Sequence, residues 1–284
     1  MTNNCTITFS IIIATFNASL RLQKCIDSIS SQTCKNYELI IIDGGSTDNT
    51  LEIIRHNQSL ISHWISEKDH GIYDAWNKGL DIANGEWVLF LGADDFLWSS
   101  DSLEKIVSTL IKMPDLNEER VVYAQVMLVN QNNENILLAG KPWEQSIAKL
   151  QHGMPIPHQG TLHHKKLFIE YGKFDYSYRI AGDYELLLRY FKTNKATFIP
   201  NVILCGMEQG GISSDPQNSL LLLKELRKAQ IKHQQKLSLF WILALMRVYI
   251  RATLWKILGE KRAKSLLDMG RIIMGESPYW TKLK

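Results

Sequence analysis

The chain predicts an α/β fold built on a mostly parallel mixed sheet and followed by C-terminal helices. Short apolar runs of strand length alternate with segments of helical spacing along the first part of the sequence. The clearest run, Trp87–Leu91, is apolar at every position, as in a strand covered on both faces. The links between runs are short, which suits repeated strand–helix units.

The elements follow in order. Phe9–Ala14 reads as the first strand and Leu20–Ile29 as its helix. Glu38–Ile42 and Thr50–Arg55 repeat the pair. His63–Ile65 is a weak strand and Ile72–Ala83 a helix, before the Trp87–Leu91 strand and a helix over Leu103–Ile111. Val121–Val129 and Ile136–Ala139 read as strands paired around the polar Asn130–Asn135 turn. Residues 140–160 hold three of the seven prolines and read as a surface loop. A helix over Tyr184–Phe191 and a strand over Thr197–Leu204 close the globular part. Gly210-Gly211 and the polar run to Asn218 read as a flexible link or a lid.

Charge divides the chain. Residues 224–284 carry 14 Lys+Arg and 4 Asp+Glu, a net +10; the other 18 and 25 leave the rest at −7. We therefore expect an acidic globular domain over 1–215 and a basic, apolar helical tail over 216–284. Leu237–Met246 is nearly all apolar, with Arg247, Arg251 and Lys256 near a helical period beside Trp241, Tyr249 and Trp255. Such a helix suits an anionic membrane surface; a helical hairpin packed on the domain or on a second copy is the alternative. Nucleic acid is excluded as a partner, because the apolar run has no role on a phosphate backbone. The four cysteines lack metal or redox spacing and read as reduced thiols. No secretory signal and no stretch of roughly 18 apolar residues is evident, so the expected location is cytoplasmic and peripheral. Neither a GxGxxG turn after the first strand nor a GxxxxGK[ST] loop occurs, which argues against dinucleotide oxidoreductases and P-loop ATPases.

The chemistry-bearing residues sit at strand ends. Asp94 and Asp95 follow Leu91 after Gly92-Ala93, Asp43 ends the second strand, and Thr15 and Asn17 end the first. Alone, the Asp94-Asp95 pair fits an acidic turn capping the next helix. In a parallel sheet, however, these ends share one edge, where ligands bind, and paired carboxylates there call for a cation.

Five segments in order, Phe9-Ser-Ile-Ile-Ile-Ala-Thr-Phe-Asn17, Gln32–Glu38, Asp43-Gly-Gly-Ser-Thr-Asp48, Asp69–Gly79 and Phe90-Leu-Gly-Ala-Asp-Asp95, resemble the family 2 glycosyltransferases, including those of bacterial exopolysaccharide and O-antigen synthesis. The resemblance spans roughly residues 8–215 and implies a GT-A fold. It implies that Thr15, Asn17 and Asp43 line the nucleotide base, that Asn77 and Lys78 sit near the diphosphate or sugar, that Asp94 contacts the ribose or the metal shell, and that Asp95 ligates Mg²⁺ or Mn²⁺. Gly182-Asp183 stands where an acidic pair is usual, so Asp183 inherits the role of base, with Glu185 second. Pro155–Gly160 places His158 and Gln159 at the acceptor or sugar pocket. Gly92 lacks the acid of longer metal motifs, and Trp76 replaces a frequent Arg.

The expected activity is inverting transfer of a hexose or N-acetylhexosamine from a UDP-type donor to a lipid-linked or polysaccharide acceptor. Two rivals remain: a polyprenyl-phosphate sugar synthase, using Arg179 or Arg189 beside Asp183, and an inactive assembly protein of the same fold.

Overall fold

The computed structural model describes residues 7–130, 132–208, 210–212, 218–275 and 278–282. The first half alternates as expected: β1 (Phe9–Thr15), α1 (Leu22–Ser30), β2 (Tyr37–Asp43), α2 (Thr50–His56), β3 (His63–Ser66), α3 (Ile72–Ile82) and β4 (Trp87–Gly92). A three-residue strand β5 (Asp95–Leu97) precedes α4 (Ser102–Leu110), then β6 (Val121–Val129) and β7 (Asn135–Ala139). The proline-rich stretch is less loop-like than its sequence reads, since it holds α5 (Trp143–Ser146) and two short 3₁₀ turns. The order continues with β8 (Thr161–His164), α6 (Lys165–Tyr171), α7 (Gly182–Tyr190), β9 (Thr197–Glu208), α8 (Ser219–Lys232) and α9 (Leu239–Ile273).

Among the described residues, nine strands form one mixed sheet in the order β3-β2-β1-β4-β8-β6-β9-β5, with β7 on β6. The β3-β2-β1-β4 half is parallel throughout. Beyond it, β8 runs antiparallel to both β4 and β6, and β9 returns parallel to β6. Successive residues of the central strands point to opposite faces. Ile11, Ile13, Leu89 and Leu91 bury one way, against α1 and α4, while Ile12, Ile40, Val88 and Phe90 bury the other way, against α3 and α7. Both faces are therefore dry. This explains the unbroken apolar runs.

The first tail helix belongs to this core. Leu223, Leu226 and Ala229 of α8 are buried in the same cluster as the α7 residues they pack near. α9 bends at Gly259, whose φ of +74° is left-handed, so it forms two limbs. The link after β9 falls partly outside the described residues.

Candidate functional site

The parallel register brings the predicted strand ends together. Thr15 lies opposite Asp43, and Ala14 lies opposite Gly92. Backbone hydrogen bonds stitch the loops that follow. Gly44 N–H donates to Thr15 O at 2.9 Å, Asn17 N–H to Ser46 Oγ at 2.8 Å, and Thr47 N–H to Asn17 Oδ1 at 2.9 Å. Asn17 adopts φ +49°, a left-handed conformation that asparagine tolerates. Thr15 Oγ1 is buried with no hydrogen-bond partner among the described residues.

Asp43 is fully buried, and its carboxylate accepts from Gly45 N–H at 3.1 Å, Ser46 N–H at 2.9 Å and Ser66 Oγ at 2.7 Å, as well as from Ser46 Oγ. It shapes the loop that follows β2. A partly exposed acid that the sequence reading passed over, Asp69, stands beside it. A Cβ on Gly44 would lie 2.6 Å from Asp69 Oδ2, so the glycine leaves room for that carboxylate. The signal was present in the Asp69-His-Gly segment, without a role attached.

Lys78 lies on the same side, paired with Glu67 at 2.7 Å and Asp74 at 3.7 Å. Burial works against its charge, but the Glu67 hydrogen bond and the Asp74 charge outweigh it and raise its pKa. Asn77 does something other than expected. Its Nδ2 donates to Phe174 O at 2.9 Å, and its Oδ1 accepts from Phe174 N–H at 3.1 Å. With both ends of the amide engaged, Asn77 clamps α3 to the segment before α7 and does not face a diphosphate.

Asp94 lies in the turn between β4 and β5, and Asp95 opens β5. Asp95 is 4% exposed and accepts from Gly92 N–H at 2.8 Å. A Cβ on Gly92 would lie 2.7 Å from Asp94 Oδ1, so an acid there would collide with the pair. A third carboxylate joins them. β5 pairs antiparallel with β9 through Asp95–Met207, and Glu208 is the next residue. Arg21, at the start of α1, donates to Glu208 through Nη2 at 2.8 Å and Nε at 3.1 Å. Burial first, then the charge of Asp94, pushes the Asp95 carboxyl well above the ordinary range. Burial likewise raises Asp94, with Arg21 partly offsetting it. This edge thus gathers more negative charge than Arg21 balances.

Among the described residues, no group of three or more His, Cys, Asp and Glu is arranged to hold a metal. Two hard carboxylates suffice for Mg²⁺ or Mn²⁺ when substrate phosphates and water complete the shell, and the raised pKa values mark a pair in need of a cation. The donor set fits such an ion.

The second half of the site opens α7. Asp183 Oδ1 accepts from Tyr184 N–H at 2.8 Å and from Tyr73 Oη at 3.1 Å. Burial pushes its carboxyl up to about 6. Two distant elements place it. The Tyr73 hydroxyl also lies 2.6 Å from Ile180 O, so its one proton is shared between the two acceptors, and Glu225 of α8 accepts the N–H groups of Arg179, Ile180 and Ala181 at 2.8, 2.8 and 2.9 Å. Gly182 has its own reason, because a Cβ there would lie 2.8 Å from the Tyr73 ring.

Two acceptor-side expectations are corrected. Glu185 is fully buried within reach of Arg189 at 3.0 Å, Lys232 at 3.0 Å and His233 at 2.8 Å, so it ties α7 to α8 and has no access to substrate. His158 is a core residue, 5% exposed and stacked 5.0 Å from Trp76; burial pushes its pKa down to about 3. Trp76, at the position of the frequent Arg, is buried in that same aromatic cluster. Gln159 is half-buried, and its carbonyl accepts from Cys205 Sγ at 2.9 Å. A hollow of about 640 Å³ lined by Trp143, Tyr190, Asn194 and Phe198 includes none of these residues.

Comparison with known proteins bears on the family and the fold. The family model described as glycosyl transferase family 2 matches residues 10–167. A Mycobacterium bovis "PGL/p-HBAD biosynthesis glycosyltransferase" is 34% identical over 213 residues, covering 72% of this chain and 79% of that protein. Among solved structures, S. aureus TarS 1-349 in complex with UDP-GlcNAc superposes with a TM-score of 0.59 at 17% identity, over 82% of this chain and 68% of that one. The mannosyltransferase PcManGT from Pyrobaculum calidifontis, in complex with GDP-Man and Mn²⁺, gives a TM-score of 0.60 at 21% identity, over 98% of this chain and 84% of that one.

Proposed function

The chain belongs to glycosyl transferase family 2, and on that premise we propose that it transfers a hexosyl or N-acetylhexosaminyl group, with inversion, from a UDP-linked donor to a hydroxyl of a lipid-linked or polysaccharide acceptor. The observation that carries the reading is the division of labour between two carboxylate sites. Asp94 and Asp95 form an under-neutralised pair on the donor edge, while Asp183 stands apart with a pKa near neutrality. The UDP-GlcNAc seen with TarS and the GDP-Man and Mn²⁺ seen with PcManGT support a nucleotide sugar and a divalent cation here.

In this reading Thr15, Asn17 and the loop built on Asp43 receive the base, with Asp69 at its side. Asp95 and Asp94 would hold Mg²⁺ or Mn²⁺, which when bound neutralises a diphosphate leaving group. Arg21 and Lys78 stand nearby, but each is already ion-paired, with Glu208 and with Glu67 and Asp74, so the ion carries most of the neutralisation. Asp183 takes the proton of the acceptor hydroxyl as its oxygen bonds to C1. The C1–phosphate bond breaks on the opposite face, and its electron pair leaves with UDP.

The synthase rival loses one proposed phosphate cation, because Arg189 is already engaged by Glu185 and by the Lys173 carbonyl. Gly92 and Gly182, which stand where an acid is frequent and so would favour the inactive-protein rival, both have steric reasons of their own. Calorimetric titration with UDP tests the proposal. Binding should be clear with Mn²⁺ and lost with EDTA. Binding of GDP but not UDP would overturn the donor assignment, and binding of neither would overturn the nucleotide site.

A further inference from the structure

The first limb of α9 is apolar on two faces, and only one of them is covered. Ala244, Leu245 and Val248 pack against the protein core. Trp241 Nε1 donates to Leu223 O at 3.2 Å, and Arg251 hydrogen-bonds Ser219, so this face is fastened to α8. The other face carries Ile242, Leu243, Met246, Tyr249, Ile250 and Ile257, all exposed, with Ile257 at 72% and Tyr249 at 58%. At 100° per residue these six span a sector of roughly 120°. On the same projection Arg247 stands just past one edge of the sector, and Lys256 just past the other.

We propose that this face lies in the interface of an anionic lipid bilayer. Exposed apolar area of this kind on one helix needs an occupant. Its chemistry is set by the charges around it. Between Glu225 and Glu260 the chain has no acid and seven Lys and Arg residues, so the cover must be apolar in the middle and anionic at its rim. A bilayer surface offers both, with acyl chains for the isoleucines and headgroups for Tyr249, Arg247 and Lys256. A second copy docked on the same face would set Arg247 and Lys256 against their own counterparts with no acid between them. A spanning mode does not apply, because no helix among the described residues is long and apolar enough to cross a membrane. The helix therefore lies flat, held from behind by α8, which also clamps the segment before Asp183. This inference stands on the helix alone and does not depend on the transferase reaction.

Co-sedimentation of the full chain with phosphatidylcholine vesicles, with and without phosphatidylglycerol, is the test. The protein should partition onto the anionic vesicles and only weakly onto the neutral ones. Met246→Glu/Ile250→Glu should release it, and Arg247→Glu/Lys256→Glu should lower the partition coefficient on the order of tenfold or more. Both pairs change exposed side chains, so thermal unfolding should not move. Absence of the wild-type chain from anionic vesicles would overturn the proposal, as would binding that survives both variants. A dimer by light scattering that Met246→Glu/Ile250→Glu dissociates, without vesicle binding, would assign the face to a second copy instead.

Discussion

Asp95 and Asp183 are both carboxyls that burial pushes above the ordinary range, yet their surroundings differ in kind. Asp95 shares its edge with Asp94 and Glu208, with Arg21 bonded to Glu208 and Lys24 near it. Among the described residues, the hydrogen-bond partners of Asp183 are the Tyr73 hydroxyl and a backbone N–H, neither of them a cation. A crowded anionic pair lowers its energy by taking a metal ion, whereas a lone desolvated acid near pKa 6 lowers its energy by taking a proton. Glu185, two residues beyond Asp183, shows a third outcome. Basic side chains surround it, and it becomes structural.

The contrast can be broken at either end. Asp95→Ala should have the largest effect, removing Mn²⁺-dependent UDP binding and dropping turnover to background; undiminished nucleotide affinity in Mn²⁺ would end the metal assignment. Asp183→Asn should leave UDP affinity alone and slow turnover about 10²–10⁴-fold, the usual weight of a general base. Near-normal turnover would place the base elsewhere. Glu225→Gln should be milder. It keeps the shape but replaces a charged acceptor of three N–H groups, so Asp183 loses some of its fixed position. We expect turnover to fall up to roughly 10²-fold with UDP affinity unchanged. A matching loss of UDP affinity would mean that α8 supports the donor edge as well.

The two regions also differed in how far the sequence revealed them. Strand ends in a parallel sheet converge by a local rule, so Thr15, Asp43 and Asp94-Asp95 could be placed together from their runs alone, and the register confirms it. The acceptor side obeys no such rule. Tyr73 reaches Asp183 across 110 residues, and Glu225 reaches Ala181 across 44. Nothing in Gly-Asp-Tyr-Glu says which acid will meet Lys232 and His233, because α8 brings them. Asn77 and His158 misled for the same reason. Their partners, Phe174 and Trp76, are set by packing rather than by pattern. β8 was hard to read because four residues with two adjacent histidines carry little strand signal, although it joins the two halves of the sheet.

The pH dependence of kcat/KM for the acceptor, at saturating donor and Mn²⁺, tests the account most directly, because it reports Asp183 before the acceptor binds. A base works only when ionised, and burial raises the Asp183 pKa to about 6. The value of kcat/KM should therefore rise about tenfold per pH unit below that pKa and level off above it. In Asp183→Asn the residual rate should lose that limb. A limb that stays in the variant, or a wild-type limb at the pKa of an ordinary exposed aspartate, would contradict the assignment of Asp183 as the desolvated base.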